Sequence, residues 1–239
     1  NDAPIASGDA VLEAIDEDEN NPPGDIIGDL FSDSYDDTID AVTGGSAANV
    51  FAGIAVISDE SDAEEGAWQY STDFGSAWND LPLVTDFNAF LLSSSTYLRF
   101  NPAEHWNGTP GSLTSYLVDD SQGSITTGTT DDVSTDTDTG GITQYSSTSV
   151  ILSTEIIPVN DTPVVSDIPD QEIAEGGNFI VIDLDDYFIS DVETAAEDII
   201  WSYSGNDVLD ILIDQITHVA TITAGIDWNG SETLTFTAT

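Results

Sequence analysis

The chain has 239 residues, of which 46 are aspartate or glutamate and one, Arg99, is basic, so its formal net charge at pH 7 is −45. Binding to nucleic acid phosphates or to an anionic membrane surface requires basic side chains, so both classes of partner are excluded. Hydrophobic residues make up 39% of the chain, which is enough to bury a core and argues against an acidic disordered tail.

Cysteine and methionine are both absent from the sequence. Disulfides, a thiol nucleophile and a soft-metal site are therefore excluded, and no apolar run is long enough to span a membrane. So acidic a chain repels itself unless cations bind to it. The acidity fits either a halophilic solvated surface or a Ca²⁺-binding protein, and the two interpretations are compatible. The abrupt start and stop lead us to expect a piece of a longer protein.

The first part of the chain contains short β-strand patterns without a helical period. Its low-complexity segment, rich in Ser, Thr, Asp and Gly, covers residues 119–141. The turn 71–77 lies between two strand patterns, which is a hairpin signature. The predicted strands are at 11–15, 50–57, 66–70, 78–83, 97–100, 113–118 and 147–157.

The last part of the chain repeats this plan in shorter form. Short strands with frequent turns are typical of β-sandwiches, and we expect the second sandwich to lack its final strand. The predicted strands are at 179–184, 199–203, 209–213, 218–223 and 234–237.

The segment 158–163, Pro-Val-Asn-Asp-Thr-Pro, separates the two β-rich regions. Thr162 precedes a proline and is therefore extended, and Pro163 lacks the N–H that a central strand needs. The phrase Asn-Asp-x-Pro also opens the chain at 1–4, so it stands at the start of both regions. We therefore predict two modules, 1–159 and 160–239.

Asn-Asp-x-Pro between β-modules resembles the linker of cadherin-like repeats, in the form found in the giant RTX-type calcium-dependent surface adhesins of bacteria. The resemblance covers nearly the whole chain, although its motifs are short. It implies an all-β chain of two tandem cadherin-like (Ig-like) β-sandwiches, with Ca²⁺ bound at the linker. It also implies an extracellular, cell-surface location and a role as a stalk in adhesion. The partners would be adjacent modules of the same chain, and we expect a monomer that does not insert into a membrane.

The resemblance also implies which residues bind calcium. At the bottom of a module the family uses a glutamate after the first strand and an acidic group before the penultimate strand. At the top it uses an Asp-x-Asp loop and an aspartate after the penultimate strand. Where the family's bottom motif is Asp-x-Glu, this chain has Glu104-His105-Trp106-Asn107. The implied ligands are Asp2, Glu17, Asp33, Asp37, Glu104, Asp119, Asn160, Asp161, Glu175, Asp191, Glu193 and Asp227.

One module end offers too few oxygens for Ca²⁺, which takes roughly six to eight. We therefore expect Glu17 and Glu104 of the first module to share ions with the linker and with the Asp-x-Glu loop of the second. The linker would contribute Asn160 and Asp161.

The alternative function is calcium-dependent carbohydrate binding, in which Trp68, Tyr70 and Trp78 stack on sugars. Trp68 and Tyr70 share one face of their strand, so the exposure of that face decides between the two hypotheses. The pattern Ser71-x-Asp73-x-Gly75-x-x-Trp78 resembles the Asp-box of sialidases. In those proteins the box is a turn device, and we expect Asp73 to bond backbone amides of its turn.

Catalysis is not expected. Paired carboxylates hydrolyse glycosides, but in so acidic a chain any spacing between carboxylates arises by chance. The two histidines, His105 and His218, lie in different modules without a neighbouring nucleophile. His218 precedes an alternating strand and is expected to lie at a solvated strand end.

Overall fold

The computed structural model describes residues 1–135 and 137–239. The chain divides into two compact units, Asn1–Val159 and Asn160–Thr239. Both are all-β, and the helical segments described are one short α-helix, α1 (Ile27–Leu30), and brief 3₁₀ turns. In the described ranges, no helix has the length and apolar character needed to cross a membrane.

Unit 1 is a β-sandwich of a six-stranded and a four-stranded sheet. The six-stranded sheet has the order β12-β9-β6-β11-β13-β2, the four-stranded sheet has the order β4-β10-β7-β8, and β1-β5 and β3-β14 are small additional pairs. The strands are β1 (Ile5–Ala6), β2 (Ala10–Val11), β3 (Ile15–Asp16), β4 (Asp25–Ile26), β5 (Tyr35–Asp36), β6 (Phe51–Asp59), β7 (Gly66–Ser71), β8 (Asn79–Asp80), β9 (Ala89–Ser93), β10 (Tyr97–Pro102), β11 (Leu113–Asp119), β12 (Thr130–Asp131), β13 (Tyr145–Ser153) and β14 (Ile156–Ile157).

The strand predicted at 11–15 is divided in the structure. Its first residue belongs to β2, which pairs in parallel with β13, and its last belongs to β3, which pairs in parallel with β14. The chain therefore follows the edge of β13 and then that of β14, and this placement positions Glu17 directly after β3.

The core between the two sheets follows the alternation of strand side chains. Ile54 and Val56 of β6 face the second sheet and pack with Trp68, Leu98 and Phe100. In a strand successive side chains point to opposite faces, so the intervening residues of β6 must be covered from the other side.

A second cluster covers the outer face of the six-stranded sheet. Ala55 packs there with Leu91 and Val118, and the covering residues include Val133 and Ile125. These two belong to the segment 119–141, which the sequence presents as low-complexity. In the structure this segment also contains β12, which extends the sheet beside β9. The described residues of this segment therefore belong to the fold of unit 1.

Unit 2 is a smaller β-structure with its own core. Its sheets have the orders β16-β20-β19, β18-β21 and β15-β17. Its buried core contains Ile182, Leu184, Ile199, Trp201 and Ala220. The strands are β15 (Val164–Val165), β16 (Ile182–Asp183), β17 (Phe188–Ser190), β18 (Trp201–Ser204), β19 (Asp210–Ile213), β20 (Val219–Thr223) and β21 (Thr235–Ala238).

The antiparallel hairpin β19–β20 lies where the sequence predicted it, but the strand predicted at 179–184 is reduced to β16. The side chain of Gln171 explains the loss. Its Oε1 accepts from the N–H of Ile180 at 2.8 Å and its Nε2 donates to the carbonyl of Ile180 at 3.0 Å. An amide side chain thus occupies the backbone groups that a neighbouring strand would use.

Candidate functional site

Four carboxylates of unit 1, Asp37, Asp40, Asp119 and Asp120, surround Tyr35 and form what we call the Asp37 cluster. Asp37 precedes the 3₁₀ turn Thr38–Asp40 that follows β5, Asp40 is the last residue of that turn, and Asp119 is the last residue of β11. Asp37, Asp40 and Asp119 are only 2%, 8% and 0% exposed. Such burial is rare for aspartate unless the charge is paired or binds a metal.

Backbone amides occupy part of the cluster. Asp37 Oδ2 accepts from the N–H of Asn49, and Asp119 Oδ1 accepts from the N–H of Ser121 at 2.8 Å. Asp40 Oδ1 accepts from the N–H of Asp2 at 2.8 Å. The backbone of Asp2, an implied ligand, is therefore fixed at the cluster.

Two buried carboxylate oxygens remain unsatisfied. Asp37 Oδ1 and Asp119 Oδ2 have no hydrogen-bond partner among the described residues. Burial raises the pKa of Asp37, and the nearby charges of Asp40 and Asp119 raise it further. Burial also raises the pKa of Asp119, and burial together with the surrounding carboxylates raises the pKa of the Tyr35 hydroxyl. A bound cation would remove both the repulsion and the unmet acceptors.

Two of the implied ligands at this end, Asp37 and Asp119, lie in the cluster, whereas Asp33 is exposed in the turn before β5. The third buried carboxylate is Asp40, which was not among the predicted ligands. Its spacing from Asp37 was the available signal, because side chains three residues apart eclipse in a 3₁₀ turn.

The second group in unit 1 is an open pocket of about 470 Å³, which we call the Glu17 pocket. Glu17 is 3% exposed. Its Oε1 accepts from the N–H of Val159 at 2.6 Å, and its Oε2 accepts from Asn107 Nδ2 at 3.1 Å. The pocket brings the implied ligands Glu17 and Glu104 together with residues that the resemblance did not assign. Its lining residues are Glu17, Asp18, Glu19, Asn20, Asn101, Pro102, Glu104 and His105.

In unit 2 three implied ligands, Asp161, Asp191 and Glu193, form the Asp191 cluster. The N–H of Asp161 donates to Glu193 Oε2 at 3.0 Å. Asp191 Oδ1 accepts from the N–H groups of Glu193 at 3.1 Å and Thr194 at 2.6 Å, while its buried Oδ2 lacks a hydrogen-bond partner within the described part of the chain. The antiparallel pair β15–β17 holds the linker segment beside this acidic loop. Asn160 is exposed, and its Nδ2 donates to the carbonyl of Asp161.

The other two implied ligands of unit 2, Glu175 and Asp227, are both exposed. Their loops lie against each other, because a Cβ built on Gly176 would stand 3.6 Å from the carbonyl oxygen of Ile226. The structure thus places two carboxylates on adjacent loops without burying either of them.

The carbohydrate hypothesis requires exposed rings, and it is wrong for Trp68 and Tyr70. Trp68 is 1% exposed, its Nε1 donates to the carbonyl of Gly111 at 2.9 Å, and its ring packs edge-on against Phe100. Tyr70 packs on the same core, against Phe90. Their shared face is the inner face of the sandwich, so neither ring can stack on a sugar.

Trp78, the third aromatic residue of that hypothesis, is half-buried under the guanidinium of Arg99, which lies 4.2 Å from the centre of its ring. One face of this indole is therefore already used by a cation–π contact. The Asp-box turn beside it is confirmed as a turn device. Asp73 Oδ1 accepts from the N–H of Ala77 and the hydroxyl of Ser71, each at 2.8 Å, and the bond from Ala77 is the main cause of the lowered pKa of Asp73.

The sequence predicted that His218 lies at a solvated strand end, and this prediction is wrong. It is 2% exposed, and its Nδ1 lies 2.7 Å from Asp185 Oδ1. The carbonyl of His218 also accepts from the N–H of Leu184, so the residue connects β20 to the turn after β16. Its environment is structural.

No family model matches the chain, and no curated protein matches it. Among solved structures, extracellular cadherin domains 1–4 of protocadherin gamma B7 align with the whole of this chain and 49% of theirs, at 12% identity and a TM-score of 0.37. The chain therefore spans about half the length of that structure.

Proposed function

We propose that this chain is a calcium-binding, extracellular segment of a bacterial RTX-type surface adhesin, in which bound Ca²⁺ stiffens a stalk. The observation that supports calcium most strongly is the Asp37 cluster. Asp37 and Asp119 are each at most 2% exposed, yet each has a buried carboxylate oxygen that no described donor satisfies. A buried charge without a partner is costly, so these oxygens favour a cation as their partner.

The ligand chemistry of the Asp37 cluster favours Ca²⁺ over softer metals. Every candidate side-chain ligand there is a carboxylate, and the chain contains no cysteine. Ca²⁺ is a hard cation that accepts irregular sets of carboxylate, carbonyl and water oxygens. The high density of negative charge also raises the affinity for a divalent cation over a monovalent one.

The stiffening role rests on the linker. Glu17 of unit 1 holds the N–H of Val159, and Glu193 of unit 2 holds the N–H of Asp161. These two amides flank Asn160, so each acidic group already fixes the backbone on one side of that residue. A calcium ion bound by the Asp191 cluster would restrain the linker further, because carboxylates bound to an ion lose their freedom to move. The adhesin and stalk role follows from the resemblance of this linker to that of cadherin-like repeats.

Thermal unfolding with and without calcium tests the proposal. An ion present at a hundred times its dissociation constant, and bound only by the folded state, adds about 2.7 kcal/mol to the free energy of unfolding. We expect EDTA to lower the Tm of the wild type, and Asp37→Asn to abolish much of the difference. Asp29→Asn removes an equal charge from an exposed position on α1 and should leave the response to calcium unchanged. A melting curve that EDTA does not shift would refute calcium binding.

A further inference from the structure

His105 is the one nitrogen ligand among the side chains that line the Glu17 pocket, and the backbone holds it in an unusual conformation. Its φ is 57°, in the left-handed region, where histidine is several-fold enriched over most residues. The turn is fixed on both sides. Trp106 N–H donates to the carbonyl of Ala103 at 3.1 Å, and Gly108 exchanges two backbone hydrogen bonds with Ile156. The imidazole is therefore presented to the pocket by a firmly anchored turn.

The two ring nitrogens of His105 face two different carboxylates. Nδ1 lies 3.7 Å from Asp18 Oδ1, and Nε2 lies 3.7 Å from Glu104 Oε1. A tetrahedral Zn²⁺ with ligands at about 2.1 Å separates a nitrogen from an oxygen ligand by about 3.4 Å. The observed separation between Nδ1 and Asp18 is within a few tenths of an ångström of that value.

A carboxylate stands near the second nitrogen of His105. An imidazole that binds a metal through one nitrogen commonly donates its other N–H to a carboxylate, which fixes the tautomer and raises the basicity of the ligand. Glu104 Oε1 lies 3.7 Å from Nε2, so a small movement of its exposed side chain brings it within hydrogen-bond distance. Glu17, by contrast, already uses one oxygen for Val159 and the other for Asn107.

We propose that the Glu17 pocket binds a divalent transition metal of the Zn²⁺ class between His105 Nδ1 and Asp18, with Glu104 orienting the imidazole through Nε2. Oxygens of the pocket wall and water complete the coordination. Ca²⁺ prefers oxygen ligands, whereas imidazole favours zinc, copper and nickel. His105 thus makes this pocket differ in metal preference from the all-carboxylate Asp37 cluster. The inference does not depend on calcium binding at that cluster.

Zn²⁺ titration in saturating calcium tests this proposal on the whole chain. Calorimetry should show a tight Zn²⁺ site in the wild type. Because the chain has only two histidines, NMR can follow each imidazole separately. The signals of His105 should shift and saturate with this site, while those of His218, buried against Asp185, should stay unchanged.

Substitutions then separate a built site from general binding to acidic residues. His105→Asn retains a residue suited to the left-handed backbone, and it should weaken the tight site by at least about tenfold, the loss caused by removing even an outer-shell partner. Asp18→Asn should do the same, and Glu104→Gln should have a smaller effect. Asp29→Asn, with an equal loss of charge outside the pocket, should leave it intact. Equal Zn²⁺ affinity in the wild type and His105→Asn, or His105 signals that do not respond, would overturn the proposal.

Discussion

The substitution Asp119→Asn should change the stability of the protein in opposite directions with and without calcium. Asp119 is fully buried, its Oδ1 accepts from the amide of Ser121, and its Oδ2 has no hydrogen-bond partner within the described residues. Asparagine has nearly the same shape and keeps the acceptor for Ser121. It removes a charge that is repelled by Asp40 and Asp120, the two carboxylates that contribute to the raised pKa of Asp119.

The magnitudes follow from the two costs that the substitution alters. An unsatisfied buried polar group costs about 1–3 kcal/mol, and more if it is charged, so Asp119→Asn should stabilise the calcium-free protein by at least about 1 kcal/mol. In calcium the variant lacks a charged ligand. It should therefore lose most of the increment of about 2.7 kcal/mol that an ion at a hundred times its dissociation constant provides.

Urea unfolding of the wild type and the variant, each in EDTA and in calcium, measures all four free energies of unfolding. Asp29→Asn, at an exposed position on α1, is the matched control and should change neither pair by more than about 0.5 kcal/mol. A variant that is less stable than the wild type in EDTA would show that Asp119 is satisfied without an ion. An equal response to calcium in both proteins would show that the ion does not bind at Asp119.

Three further predictions concern the fold. Trp68→Ala should cost about 3–5 kcal/mol of unfolding free energy in calorimetry, because it empties the core of unit 1; a loss below about 1 kcal/mol would contradict its burial. Gln171→Ala should cost about 0.5–1.5 kcal/mol, the net value of a hydrogen bond whose groups are otherwise hydrated, and should speed amide exchange at the exposed Ile180; unchanged exchange would contradict this contact. Backbone N–H groups, first that of Asp207, donate to the carboxylate of Glu232 and hold its pKa below the ordinary value. The stabilising effect of this carboxylate is therefore present at neutral pH and lost as the pH falls through the lowered pKa. In urea unfolding, Glu232→Gln should be less stable than the wild type at neutral pH and equally stable in acid, and a difference in stability that does not depend on pH would refute this.

Local sequence patterns were sufficient to predict those parts of the structure that depend on residues close together in the chain. The alternation in 50–57 predicts β6, because a strand with covered faces needs apolar residues at regular positions. The turn that follows β7 was predictable for the same reason, since Ser71 and Asp73 bond amides only a few residues away. The aspartates of the linker and of the loop after β17 could likewise be identified as candidate ligands from the sequence.

Other features arise from contacts between distant parts of the chain. The sequence is equally consistent with exposed and with buried positions for Trp68 and Tyr70. Only the packing of β7 against the six-stranded sheet buries them. Ile125 and Val133 are isolated apolar residues in a polar stretch without periodicity, and the sheet face that they cover is formed by strands elsewhere in the chain.

The sequence by itself determined the charge, the all-β class and the types of oxygen ligand, because these depend on composition and on patterns within a few residues. Only the tertiary structure decided which acids are buried. Asp37 joins Asp119 because β5 and β11 end near each other, and the 3₁₀ turn after β5 adds Asp40. His105 meets Asp18 because the turn after β10 is anchored beside the end of β3. The positions of such groups depend on how strands pair across long stretches of chain, and a one-dimensional pattern does not contain that information.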